Sequence, residues 1–213
     1  MAPAMFSRGP LLVGPLTAAP ALLGAVICST TDQGEVAVRL TEVEAYDGAL
    51  DPGSHAYRGR TARNAVMFGE PGHAYVYFTY GMHYCLNVVC RGAGTAGGVL
   101  LRAGQVVRGE ELARSRRQAA RTARDLARGP ANLAQALGID LAWDGVDLLN
   151  SGSRLRLERG RRVAAELVAT GPRVGLRAAP DVPWRYWVSG DSTVSAYKAA
   201  AVREKPTPGP DAA

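Results

Sequence analysis

Glu42, Glu44 and Tyr46, at alternate positions, are the residues of this 213-residue chain best spaced for acid–base chemistry. They close a run that begins Val36, Val38, Leu40, the period-two pattern of a β-strand. Counting on by twos carries both carboxylates onto the face that starts apolar. A carboxylate buried there is costly unless paired or protonated, and its pKa tends to rise, which is the environment of a general base. The plainer reading is that the strand has left the core by residue 42 and both glutamates are solvated; a bulge would change the parity altogether.

The second chemical feature is aromatic. Tyr75, Tyr77, Phe78, Tyr80 and Tyr84 are five of the chain's fourteen aromatic residues (3 Phe, 8 Tyr, 3 Trp), within ten positions. His73–Tyr80 and His83–Cys90 read as two strands joined at Gly81-Met82, a β-hairpin. Tyr75 and Tyr77 then share a face, with Val76 and Phe78 on the other. On the return strand His83, Cys85 and Asn87 lie opposite Tyr84, Leu86 and Val88. The tip, Tyr80-Gly81-Met82, sets an aromatic ring and a thioether on a turn, where apolar groups gain nothing by burial. Either this is an ordinary tyrosine-rich strand pair, or it is a stacking surface with a wedge, suited to handling nucleobases.

These residues need a frame. A short buried helix near Ala18–Leu23 leads toward the first clear strand, Glu35–Tyr46, and a Gly/Pro-rich loop follows over Asp47–Arg63. Val99–Ala103, Arg154–Leu157, Val163–Val168 and Trp184–Val188 read as further strands. Ala131–Leu137 is a helix, with Pro130 opening it and Gly138 closing it. Arg108–Arg128 is arginine-rich with helical potential, either a solvated face or loop or a contact for nucleic acid. The expected fold is therefore α+β: one compact domain with an antiparallel sheet at its core and a few flanking helices.

Composition narrows the classes. At 47% hydrophobic and 21% charged, the chain has enough apolar matter for a core, which excludes wholesale disorder. The net charge of +6 suits a polyanionic partner. Lys198 and Lys205 are the only lysines, so a mechanism needing a core lysine is disfavoured. Cys28, Cys85 and Cys90 cannot all pair and form no C-x-x-C; His55, His73 and His83 are scattered. Neither a disulfide framework nor a metal site is expected, and the compartment expected is the cytoplasm. The uncharged run Gly9–Thr31 could pass for a signal peptide or membrane span, but Pro15 and Pro20 interrupt it, and no membrane association is expected.

Several segments together carry a resemblance. Thr41-Glu42-Val43-Glu44-Ala45-Tyr46, His55, Thr61-Ala62-Arg63-Asn64 and Tyr75-Val76-Tyr77-Phe78-Thr79-Tyr80-Gly81-Met82 are similar to the alkyladenine (3-methyladenine) DNA glycosylases of mammalian type, which also occur in bacteria. The similarity continues in order through Asn87, Leu100-Leu101-Arg102, Gly129-Pro130-Ala131-Asn132-Leu133 and Arg173-Val174-Gly175. It implies a curved antiparallel sheet and a role for each matched residue. Glu44 would activate a water for attack at the sugar C1′, with Arg102 and the Val174 carbonyl holding that water. Tyr46 would stack on one face of a flipped base, His55 and Tyr77 on the other. Tyr80 would wedge into the duplex with Met82 beside it, Asn87 would reject guanine, and Arg63 and Asn64 would contact DNA. The implied substrate is double-stranded DNA containing 3-methyladenine, 7-methylguanine, hypoxanthine or etheno adducts, cleaved without a cofactor by a monomeric enzyme acting at the nucleoid. His83 stands where the family has an aromatic, and the 108–128 stretch is unusually rich in arginine.

The expected domain limits are a flexible N-terminus over residues 1–10, the glycosylase domain over 11–203, and a disordered tail over 204–213, the last read from its prolines. Both lysines lie beyond the matched motifs, so hydrolysis without strand nicking is expected. Two other readings stay open. A carbohydrate glycosidase could use Glu42 and Glu44, whose Cα atoms would sit about 6–7 Å apart on a strand, near the inverting spacing. A non-catalytic module could bind lesions and release no base.

Overall fold

The computed structural model describes residues 4–201. The expected tail at 204–213 lies outside them. Among the described residues eight strands form one sheet in which every pairing is antiparallel, with four short α-helices, so the α+β expectation holds. The helices are α1 (Gly9–Val13), α2 (Pro15–Leu22), α3 (Glu110–Arg116) and α4 (Pro130–Leu137). The strands are β1 (Val26–Thr31), β2 (Gly34–Tyr46), β3 (Ala74–Thr79), β4 (His83–Val89), β5 (Gly98–Arg108), β6 (Leu155–Glu158), β7 (Val168–Gly171) and β8 (Arg185–Val188). The main path runs β3-β4-β5-β2-β1-β6, and β8 pairs with both β2 and β7.

The uncharged N-terminal run folds as α1, α2 and β1, and among the described residues no helix is long and apolar enough to cross a membrane. Met5 pairs with Glu158, and the Phe6 N–H donates to the Leu157 carbonyl. Backbone expected to be a flexible terminus is thus tied to β6. α4 begins on Pro130 and stops at Gly138, whose φ of 72° lets its N–H reach back to the Ala134 and Gln135 carbonyls. Two expectations shift. β5 runs on from Ala103 to Arg108 because β2 is long enough to pair with it as far as Ala37↔Arg108. The strand expected at Val163–Val168 is a 3₁₀ turn over Ala165–Leu167, with β7 starting at Val168, where β8 first offers a pairing partner.

The long strand β2 decides where the chemistry lies. Its register against β5 slips between Leu40 and Glu42 and again between Glu42 and Val43. A slip there exchanges the two faces. Val36, Val38 and Leu40 enter the main core, and so do Val43 and Ala45. Glu42, Glu44 and Tyr46 therefore point away from that core, which corrects the simple parity count. They are not solvated on their face: both glutamates are fully buried. The hairpin keeps its alternation. Val76, Leu86 and Val88 join the main core, while Tyr75 packs in a second, smaller cluster with Ala56, Met67, Val89 and Ala96.

Candidate active site

The site opens between the end of β2, the hairpin face bearing Tyr75 and Tyr77, and the loop after β7. Tyr46, His55, Tyr77, Asn87, Arg102 and Val174 line one cavity of about 260 Å³, with Tyr80 at its mouth. That is below the span of about 300–1,000 Å³ typical of drug-sized pockets and suits a single small ring system.

Glu44 lies beneath three of these lining residues. Its Oε1 accepts the Val174 N–H at 2.7 Å, its Oε2 accepts the Tyr46 hydroxyl at 2.9 Å, and Arg102 Nη1 stands 3.4 Å from Oε2. A carboxylate has about four lone-pair positions, so acceptor capacity remains for a water. Burial, then the Glu44 charge, hold the Tyr46 phenol well above its ordinary pKa, so it stays a donor. Burial likewise pushes the Tyr77 phenol far up. The expected role of the Val174 carbonyl is joined here by a contact from its N–H.

Glu42 is in a different situation. Arg102 Nε, Arg185 Nε and Ser195 Oγ all donate to its Oε1, at 2.9, 2.7 and 2.9 Å, and Ser195 N donates to Oε2 at 2.7 Å. Burial opposes its ionisation, but the Arg102 and Arg185 charges and the Ser195 N–H outweigh it and hold the carboxyl below its usual range. A carboxyl held ionised in this way cannot serve as the proton-donating partner of a glycosidase pair.

The walls are aromatic. His55 meets Tyr77 edge-on at a centroid distance of 4.6 Å, and its Nδ1 lies 3.0 Å from the Tyr75 hydroxyl. Burial, then the Arg63 charge, lower the His55 pKa, leaving a neutral ring at pH 7. Behind Tyr46 sits Arg173, its guanidinium 4.5 Å from the Tyr46 ring centroid and 5.1 Å from that of Trp184. Arg173 donates to both Asp51 oxygens, at 2.5 and 2.8 Å, and to the Ala45 carbonyl at 2.9 Å. With side-chain exposures of 1% and 0%, removing one partner of this pair would cost about 3–5 kcal/mol. Asn87, 6% exposed, donates its amide to the Tyr75 carbonyl at 3.1 Å, which fixes its orientation on the cavity wall.

The hairpin tip is exposed. Tyr80 has φ 53° and Gly81 φ 68°, positive at both central positions as a type I′ turn requires, and Met82 N donates to the Thr79 carbonyl at 3.3 Å. Tyr80 is 86% exposed and Met82 68%. A large aromatic held in a left-handed conformation with its ring in solvent is a strained arrangement of the kind that marks functional sites.

The two DNA contacts expected in the 61–64 segment part company. Arg63 is exposed, donates to the Phe78 carbonyl at 3.2 Å and lies 5.8 Å from the Tyr77 ring. Asn64 is 2% exposed: its Nδ2 donates to the His55 and Gly59 carbonyls and its Oδ1 accepts from Thr61 N. It braces the loop that carries His55 and does not face outward.

In the arginine-rich stretch most side chains are engaged inside the protein. Arg108 pairs with Glu35 and Glu158, Arg114 with Glu110, Arg116 and Arg117 bond to carbonyls near α4, and Arg128 donates to the Val194 carbonyl. Arg121 and Arg124 remain exposed, Arg124 only 3.7 Å from Asp125. Both line a shallow cleft reaching Arg128, two residues before Pro130 of the aromatic-walled cavity.

Asp51, Arg173, Arg185 and Ser195 were not singled out as site residues from sequence. Arg173 lay inside a matched motif, but Asp51 read only as part of an Asp-Pro-Gly turn. Lys198, expected to be remote, accepts the Gly175 N–H on its carbonyl at 2.8 Å, and Gly175 lines the cavity. Its side chain is exposed and is not part of the lining.

Known proteins resemble this chain over most of its length. A sequence profile of the methylpurine-DNA glycosylase family matches residues 12–192. A protein of Streptomyces avermitilis is 55% identical over 194 residues, covering 90% of this chain and 91% of its own. Proteins of Nocardia farcinica and Leifsonia xyli are 52% identical over 200 residues and 53% over 199, each covering at least 90% of both chains. All three carry the provisional name 3-methyladenine DNA glycosylase. With the profile spanning the strand of Glu44, the hairpin and the Arg173–Gly175 loop alike, this chain belongs to the methylpurine-DNA glycosylase family and is a DNA glycosylase.

Proposed function

We propose that this glycosylase takes an alkylated or deaminated purine, turned out of duplex DNA, into the aromatic cavity and hydrolyses its N-glycosidic bond with a water activated by Glu44. The observation that carries the reading is the buried Glu44 carboxylate, fixed by Val174 N and the Tyr46 hydroxyl directly under the cavity floor. Water attacks C1′, its proton passes to Glu44, and the C1′–N bond breaks with its electron pair leaving on the base. A purine alkylated at N3 or N7 carries positive charge in DNA and departs neutral without an added proton, whereas hypoxanthine and the etheno adducts are uncharged and depart neutral by taking a proton from water on a ring nitrogen. The developing oxocarbenium charge at C1′ is stabilised by the same carboxylate. Tyr46 on one side and His55 with Tyr77 on the other offer electron-rich faces to an electron-poor ring. Tyr80 fills the gap left in the duplex, at a flipping cost of about a few kcal/mol. The 3-methyladenine, 7-methylguanine, hypoxanthine and etheno lesions are the candidate substrates, and the enzyme works as a monomer in the cytoplasm.

The test is incubation with methylated and with inosine-containing duplexes, followed by chromatography of the released bases. Glu44→Gln should lower release by about 10²–10⁴-fold while keeping lesion binding. Full excision by that variant would sink the assignment. Binding by the parent enzyme without any released base would favour a lesion-sensing module.

A further inference from the structure

Arg102 stands between two buried carboxylates that compete for it. Its Nε donates to Glu42 Oε1 at 2.9 Å, whereas its Nη1 approaches Glu44 Oε2 only to 3.4 Å. Charge-assisted N–H···O bonds normally close to about 2.7–2.9 Å. The first contact is a formed bond; the second is held open. Glu42 itself is fixed from three directions, by β5 through Arg102, by β8 through Arg185, and by Ser195 through its N–H and hydroxyl. It is fully buried, is not among the residues lining the cavity, and meets the lining through Arg102.

We propose that Glu42 is a positioning residue that holds the Arg102 guanidinium off Glu44, leaving the catalytic carboxylate free to take the proton of its water. This rests on the reading of Glu44 as the base. Without the Glu42 charge, Arg102 has one carboxylate left within reach and closes onto it as a paired guanidinium–carboxylate. That pairing occupies the lone pairs the water needs and makes Glu44 a weaker base. The other titratable groups around Glu44 do not replace Glu42 in this task. Tyr46 on β2 donates to Glu44, Tyr77 on β3 and Cys85 on β4 face it as neutral groups whose pKa values burial raises, and Val174 contributes a backbone N–H. Arg185 is paired with Glu44 in backbone register, but its side chain goes to Glu42.

Two substitutions push the competition in opposite directions. Glu42→Gln keeps volume and an acceptor but removes the charge. Arg185→Gln leaves Glu42 with one arginine instead of two, so Glu42 draws Arg102 harder away from Glu44. The measurement is single-turnover base release from saturating lesion duplex between pH 5 and 9, with circular dichroism as the control for folding. In Glu42→Gln the plateau should fall about 10²-fold, the lower end of a general base's contribution, and the acid limb should move to lower pH. In Arg185→Gln the acid limb should move to higher pH. Glu42→Asp, which keeps the charge, should restore the wild-type limb. A slower Glu42→Gln enzyme whose limb does not move would show a structural role only and overturn the proposal. So would limbs moving the same way in both variants. Should Glu42→Gln fail to fold, an unmoved limb in Arg185→Gln overturns it. If Glu44→Gln still excises, the base reading has failed; if Glu44→Gln is inactive and Glu42→Gln behaves as wild type, only the positioning role has failed.

Discussion

Replacing Tyr80 with glycine should separate the hairpin tip's structural cost from its use, because the two change in opposite directions. Tyr80 sits at φ 53° with 86% of its surface exposed, so the fold gains little from its ring and bears the strain of its backbone. The left-handed conformation costs an L-residue about 1–2 kcal/mol. Glycine removes that cost but brings about 0.5–1 kcal/mol of extra unfolded-state entropy. The net change in stability is then about 0 to +1.5 kcal/mol, which for a chain of this size moves Tm by roughly 0 to +6 °C. Binding should move the other way. An inserted aromatic is worth about 1–3 kcal/mol of stacking, so affinity for lesion duplex should fall about 5- to 150-fold. A single-stranded lesion has no gap to fill and should bind within about twofold of wild type. Thermal melts and fluorescence anisotropy with labelled duplex and single strand read both quantities. A Tm several degrees lower would show that Tyr80 packs, and equal losses on both substrates would show that it is no wedge.

Other outcomes follow from the same geometry. Asn87→Ser should admit guanine-type bases and lose about 0.5–1.5 kcal/mol of stability, because serine is too short to reach the Tyr75 carbonyl; unchanged base preference in competition assays would reassign Asn87 to strand structure. Arg121→Gln with Arg124→Gln should flatten the dependence of log K on log[salt] by about 0.9 for each phosphate no longer neutralised, whereas Arg114→Gln, already paired with Glu110, should leave the slope alone. Equal slopes in all three would place the DNA elsewhere. Borohydride during turnover should trap no covalent protein–DNA adduct; an adduct abolished by Lys198→Ala would mean that the Lys198 amine attacks the sugar.

What the chain carries locally was readable. Alternation of residues 75–88 assigned each hairpin side chain to its face, because strand period and turn chemistry are short-range, and the fold keeps that assignment. Pro130 and Gly138 marked α4 for the same reason. β2 shows the limit. Its alternation put Glu42 and Glu44 on the face of Val36, Val38 and Leu40, and the register slip between Leu40 and Val43 put them on the other. A bulge belongs to a pair of strands, and the β5 that β2 pairs with begins more than fifty residues away, so no pattern within β2 could announce it. Asp51 and Arg173 are 122 residues apart, and Glu42 and Ser195 153. Neither partnership shows in the sequence, because a carboxylate and its distant donors become a buried set only when the chain between them closes. Glu44 was marked as a candidate base by its residue type and its neighbours. Its separation from the arginine that would otherwise capture it was decided by contacts that exist only once β2, β5, β8 and the Ser195 loop have met.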